Sequence, residues 1–290
     1  MLGGTMMVSD QHEILLPSGP VTVKVSAASD RGSVRSLNED SLLVLPQVYL
    51  VADGMGGHSF GDRASQCVVQ SFARAVARHS FLTPEHIVQA ITEANSAVIA
   101  LRGEDDGVSG TTLSGIALVA VGADSEPRWM AFNVGDSRVY SWNGRELEQV
   151  TVDHSAVQEL VDLGHITALE ATSHPDRNVI TRALGIHSHV NPDVWLLPVA
   201  ARHTFLACSD GLTKELDDDL IAGILADRSA LNDNETIADR LVAGAIAAGG
   251  SDNVTVIVVD AARAASADTA EEDTVDRAVS HHLEQTRPRK

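Results

Sequence analysis

The chain has little cysteine, no long apolar run and a shortage of positive charge, and each deficit removes a class of answer. Its 290 residues hold two cysteines, Cys67 and Cys208. They form neither a paired metal-binding motif nor a disulfide framework, so both read as reduced, buried thiols. No uninterrupted apolar stretch reaches the length that spans a bilayer. The start, MLGGTMMVSDQHEILLPSGP, has no positive leader and carries Asp10 and Glu13, so no secretory signal is expected and a soluble cytoplasmic location is the simplest expectation. Lys and Arg number 21 against 40 Asp and Glu, a formal net charge of −19. Nucleic acid and anionic membrane surfaces are thereby disfavoured as partners, since both demand a basic patch. No internal repeat is detected.

What is present is ordinary in bulk and unusual in arrangement. Apolar residues make up 44% of the chain and charged residues 21%, as in a soluble globular protein with a sizeable core. Four aspartates stand at the ends of short apolar runs: Asp53 in VYLVADG, Asp136 in FNVGD, Asp210 in TFLACSDG and Asp252 in GGSDNVTVIVV. Such runs read as strands with a carboxylate at the tip. Three of the aspartates close a run and the fourth opens one, so an antiparallel sheet can gather all four at one edge. Carboxylates gathered together repel one another unless cations sit between them, and hard divalent metals are the natural occupants. Taken singly, an Asp at a strand end is more often a turn or cap residue than a ligand.

Strand candidates cover 21–28, 41–45, 48–52, 111–121, 129–135, 137–142, 145–151, 194–198, 204–208 and 253–260. In SWNGREL, Asn143 and Gly144 suit the positive backbone angles of a tight primed hairpin turn. Helical periodicity places Ala64, Cys67, Val68, Phe72, Ala75 and Val76 on one face of 62–79, and Ile87, Ile91, Ala94 and Val98 on one face of 84–101. Thr83 before Pro84 marks a helix start. Two further helices fit 155–163 and 234–248. Many short strands with few long crossovers predict an α+β fold of antiparallel sheets with helices packed outside them. Residues 1–20 read as a flexible or edge-packed extension, 21–261 as the folded domain, and 262–290 as an acidic, partly helical or flexible tail.

Eight words occur in order: SDRGSVRSLNEDSLL at 29–43, VADGMGGHSFGDRAS at 51–65, GTTLSGIAL at 110–118, FNVGDSRVY at 132–140, DHSAVQELVDLGHIT at 153–167, NVITRALG at 178–185, CSDGLTKEL at 208–216 and GGSDNVTVIVV at 249–259. Together they resemble the metal-dependent protein serine/threonine phosphatases of type 2C, in their bacterial branch, over residues 22–260. The resemblance implies a four-layer α-β-β-α sandwich, two central antiparallel sheets flanked by helices, with the metals at one end. It also implies hydrolysis of phosphoserine and phosphothreonine on proteins with manganese or magnesium, two ions bound tightly and a third more weakly. Phosphorylated proteins, products of a serine/threonine kinase, become the expected partners, and a monomer is the expected state.

Residue by residue, the resemblance makes Asp53 the carboxylate that bridges the two ions and brings the carbonyl of Gly54 to the first. Asp210 and Asp252 complete the second. Glu39 and Asp40 match positions that hold metal-bound waters. Arg35 matches the arginine that binds the substrate phosphate, a role its fork of donors suits. Asp136 matches either a ligand of the third ion, shared with Asp210, or a group that orients water. Residues 153–185 resemble the flap beside the metals, where Asn178 falls near a further ligand position. One departure bears on mechanism: eukaryotic relatives carry a histidine, a candidate proton donor, where this chain has Met55. His58 is near but not in register, so a metal-bound water is the preferred acid, and His154, His165 and His174 read as solvated.

Two other classes of function remain open at this point. A phosphoprotein-binding regulatory module without turnover would have lost a metal ligand, yet Asp53, Asp210 and Asp252 are present. A two-metal hydrolase of small phosphoesters would differ in its choice of substrate. A thiol-based phosphatase is excluded: it needs an arginine-closed phosphate loop after its cysteine, and Cys208 is followed by SDGLTKE.

Overall fold

The computed structural model describes residues 6–16, 19–56, 60–101, 109–122, 124–228 and 235–263. Along them run β1 (Met6–Leu16), β2 (Gly19–Asp30), β3 (Asp40–Leu45), β4 (Val48–Met55), α1 (Gly61–Val76), α2 (Pro84–Ala100), β5 (Gly110–Thr111), β6 (Leu113–Val121), β7 (Glu126–Val134), β8 (Arg138–Trp142) and β9 (Leu147–Gln149). They continue with α3 (Ala156–Asp162), α4 (Ala168–Thr172), β10 (Asp193–Pro198), β11 (Arg202–Cys208), α5 (Asp210–Thr213), α6 (Asp218–Ala226), α7 (Ile237–Ala248) and β12 (Val254–Arg263). The first sheet has the order β1-β2-β12-β11-β8-β9 and the second β10-β7-β6-β4-β3, with β5 pairing to the end of β4. Their pairings are antiparallel.

Side-chain alternation along the strands stacks these sheets into four layers. On β4, Leu50 faces a core shared with Phe72 of α1 and Ile87 and Ile91 of α2. Its neighbours Tyr49 and Val51 face the opposite way, into a core between the sheets with Trp129, Phe205 and Val259. On β12, Val256 and Val258 turn outward onto Leu241 and Val242 of α7, while Ile257 and Val259 turn inward. The expected α-β-β-α sandwich is therefore what the chain forms. Both long predicted helices form on their predicted faces, although Cys67 of the first is only half-buried. Thr83 caps α2, its hydroxyl accepting from the His86 amide at 3.4 Å.

The differences have local causes. β1 precedes the predicted strands and pairs with β2 as an edge strand. Its inward positions include Val8, His12 and Ile14, and His12 breaks the apolar alternation by meeting the Tyr49 hydroxyl at 2.6 Å between the sheets. The 143–146 loop between β8 and β9 is longer than the predicted two-residue turn, since Trp142 pairs with Leu147. Only Gly144 takes a positive φ there, and Asn143 instead uses its side-chain carbonyl to accept from the amides of Arg145 and Glu146. The α6 helix lies in a stretch with no predicted element. Among the described residues no helix is long and apolar enough to cross a membrane.

Candidate metal centre

One end of the sandwich collects the acidic words. In the β3–β4 ladder Asp40 stands directly opposite Asp53. Beside it β11 ends and β12 begins, tied by the Ser209 amide donating to the Thr255 carbonyl at 2.9 Å, so Asp210 and Asp252 flank the same opening. Arg138 pairs with Cys208, which brings the start of β8 and the preceding Asp136 alongside. Close backbone approach demands glycine here. A Cβ on Gly54 would lie 2.2 Å from the Gly61 carbonyl oxygen, and one on Gly211 1.9 Å from that of Asn253.

The five carboxylates feel one another. Burial pushes Asp53 well above the ordinary carboxylate range, with repulsion from Asp40, Asp210, Asp136 and Asp252 adding to it. Burial likewise raises Asp40 to about 7, opposed by the Thr255 hydroxyl and by that of Ser209, which donates to its Oδ2 at 2.8 Å. Asp136, 7% exposed, is raised to about 7 by burial and then by Asp210. Glu39 is raised by burial as well. Asp40 Oδ1, Asp136 Oδ1 and Asp210 Oδ1 are all buried and accept no hydrogen bond from the described residues. Buried carboxylate oxygens without donors are costly, and an all-oxygen set of them suits a hard divalent cation.

Two protein cations stand at the rim. Arg35 grips Asp252 through Nε to Oδ1 at 2.8 Å and Nη2 to Oδ2 at 2.9 Å. Lys214 Nζ lies 2.5 Å from Asp210 Oδ2 and 2.8 Å from Asp252 Oδ2. Burial opposes the charge on Asp252, but Lys214, the Asn253 amide and Arg35 together outweigh it and hold the carboxyl below its ordinary range. With Asp210 and Asp252 turned toward these cations, no three His, Cys, Asp or Glu side chains among the described residues form a ready-made metal cage.

A cavity of about 960 Å³ opens in front of this rim, with Arg35, Asp136 and Lys214 on one side and Val157, Val161 and Ala168 of the 153–185 segment on the other. Asn178 lies on its exposed wall. The segment is anchored by His154, which corrects the expectation that this side chain is solvated. It is 5% exposed; its Nδ1 accepts from the Gly135 amide at 3.0 Å, and its Nε2 faces Asp193 Oδ2 at 3.2 Å. Arg182 also reaches Asp193, at 2.9 Å. His165 is exposed as expected, and His58 lies outside the described residues.

Three polar side chains at the site escape a reading of the sequence. Asn253 donates through Nδ2 to the carbonyls of Arg31 and Leu37, both at 2.9 Å, and accepts from the Glu39 amide at 2.8 Å, so one amide clamps the Arg35–Glu39 loop onto β12. Ser209 holds Asp40, and Lys214 joins Asp210 to Asp252. Only Lys214 left a local signal, its spacing of four from Asp210 on a helical turn.

Comparison with known proteins identifies the family. A family profile described as protein phosphatase 2C matches residues 33–244. A serine/threonine phosphatase, stp, from Listeria welshimeri is 35% identical over 80% of this chain and 93% of its own length. The solved PPM Ser-Thr phosphatase MsPP from Mycobacterium smegmatis, in complex with cacodylate, superposes with a TM-score of 0.71 at 36% identity, over 81% of this chain and 97% of that one. The catalytic domain of the serine/threonine phosphatase PstP in complex with two manganese ions gives 0.72 at 36% identity, over 83% of this chain and 99% of that one. Sequence, layered fold and acidic end together place the chain in the protein phosphatase 2C family.

Proposed function

We propose that the protein hydrolyses phosphoserine and phosphothreonine on other proteins, with Asp53, the Gly54 carbonyl, Asp210 and Asp252 holding two manganese or magnesium ions. Asp136 would share a third, weaker ion with Asp210. The observation that carries this reading is the set of buried carboxylate oxygens, Oδ1 of Asp40, Asp136 and Asp210, that accept nothing from the described residues. Bound there, divalent ions supply a water of lowered pKa and positive charge against the phosphoryl oxygens.

The chain's own residues do the rest. Asp252 fixes the guanidinium of Arg35 along one edge, which leaves Nη1 to take a substrate phosphate oxygen in a charge-assisted hydrogen bond. Asp40 and Glu39 would orient water beside the proposed ions, and Ser209 fixes the Asp40 rotamer. Across the cavity, Val157, Val161 and Ala168 offer an apolar wall to the residues flanking the phosphoamino acid. A cytoplasmic monomer acting on the products of a serine/threonine kinase completes the reading.

Phosphate release from a phosphothreonine peptide and from nucleotides, each with manganese and with EDTA, tests it. Metal-dependent release from the peptide in clear preference to nucleotides is expected. Nucleotide turnover equal to or faster than peptide turnover would make the protein a hydrolase of small phosphoesters instead.

A further inference from the structure

Among the described residues, Lys214 is the one cation that touches two of the proposed ligands at once. It follows the single turn of α5, four residues after Asp210, and its ammonium sits between Asp210 Oδ2 and Asp252 Oδ2. The two carboxylates are turned to this ammonium and to Arg35, and among the described residues no three potential ligands form a cage. A divalent ion that takes both oxygens must therefore displace the ammonium. The side chain has room to withdraw, because Lys214 borders the large cavity in front of the rim.

We propose that Lys214 is a tethered counter-ion that competes with the divalent metal for Asp210 and Asp252. The inference rests on the reading of those two aspartates as metal ligands. Its consequence is a site that stays electrostatically balanced when metal is scarce and gives up metal more readily than its carboxylate count implies. Both effects have one cause. Neutralising Lys214 removes a competitor held at contact distance, and it leaves the cluster one unit more negative toward an incoming cation.

The test is calorimetric titration of manganese into the full-length protein and its Lys214→Met variant, with melting of both in EDTA. Lys214→Met is expected to bind at least one manganese ion about tenfold or more tightly, and to melt at a lower temperature than wild type in EDTA, where repulsion between Asp210 and Asp252 is no longer offset. Should Lys214→Met fail to fold without metal, Lys214→Gln, which keeps a donor but not the charge, is titrated instead and should also bind more tightly. If both proteins bind two ions with equal affinity, or the variant binds more weakly, the competition is refuted while the metal centre stands. If neither protein binds manganese, the metal centre fails and this inference with it.

Discussion

Asp210 and Asp136 separate ligand from tuner at the scale of single residues. Asp210 is proposed to hold tight metal at an open rim, so Asp210→Asn should abolish turnover while the protein keeps its circular dichroism and melts cooperatively. Asp136 is assigned to the weaker ion, so Asp136→Ala should lower kcat while calorimetry still finds two tight ions; loss of all metal would overturn the peripheral assignment. Acid–base behaviour gives a second handle. Asp40 and Asp136 have folded-state pKa values raised to about 7 from an ordinary 3.8. Their contribution to stability is therefore fully present below about pH 4 and is lost as pH rises through about 7, in protein kept in EDTA. Metal requires the deprotonated forms, so the rise in Tm on adding manganese should grow between about pH 5.5 and pH 8. A manganese-induced shift that is flat or shrinks over that interval contradicts the raised carboxylates. At this scale the four aspartates were legible because each sits at the tip of its own apolar run. Asn253 was not, because its partners lie up to 222 residues away, and Lys214 was legible only through Asp210, its second partner Asp252 lying 38 residues away.

The end of β12 and the 31–39 loop form the element that carries Arg35, and Asn253 holds it. Asn253→Ala removes two donors and one acceptor from the Arg31 and Leu37 carbonyls and the Glu39 amide, a part-buried set. We expect a loss of about 2–3 kcal/mol in stability, taking each unsatisfied group near the lower end of its usual cost. KM for a phosphopeptide should rise with it as Arg35 loosens. Urea melts and steady-state kinetics check the two halves, and an unchanged KM would detach the loop from substrate binding. Element boundaries were legible where the periodicity was long, as in α1 and α2. They failed where polar residues do structural work: His12 disguises β1 by bonding Tyr49, Asn143 converts a predicted tight turn into a wider loop, and α6 has only Ile221 and Leu225 buried in nine residues.

Across the whole molecule, two sheets of opposite apolar alternation and their flanking helices bring five acidic residues from chain positions 40 to 252 to one end. The apolar clusters run up to this end, with Ala52, Cys208 and Val254 packed directly behind the acidic residues. The four-layer order was legible through the family resemblance, and antiparallel sheets through the strand spacing; which strands lie beside which was not, since β2 pairs with β12 across nearly the full chain. The most direct test of the account is turnover of a phosphothreonine peptide by wild type and Asp210→Asn, each stripped with EDTA and then restored with saturating manganese. Wild type is expected to be silent in EDTA and active once manganese is restored, while folded Asp210→Asn stays silent in EDTA and at least about a hundredfold slower than wild type in manganese, a barrier change of about 2.7 kcal/mol or more. Wild-type turnover that persists in EDTA, or near-normal turnover by Asp210→Asn in manganese, would contradict it.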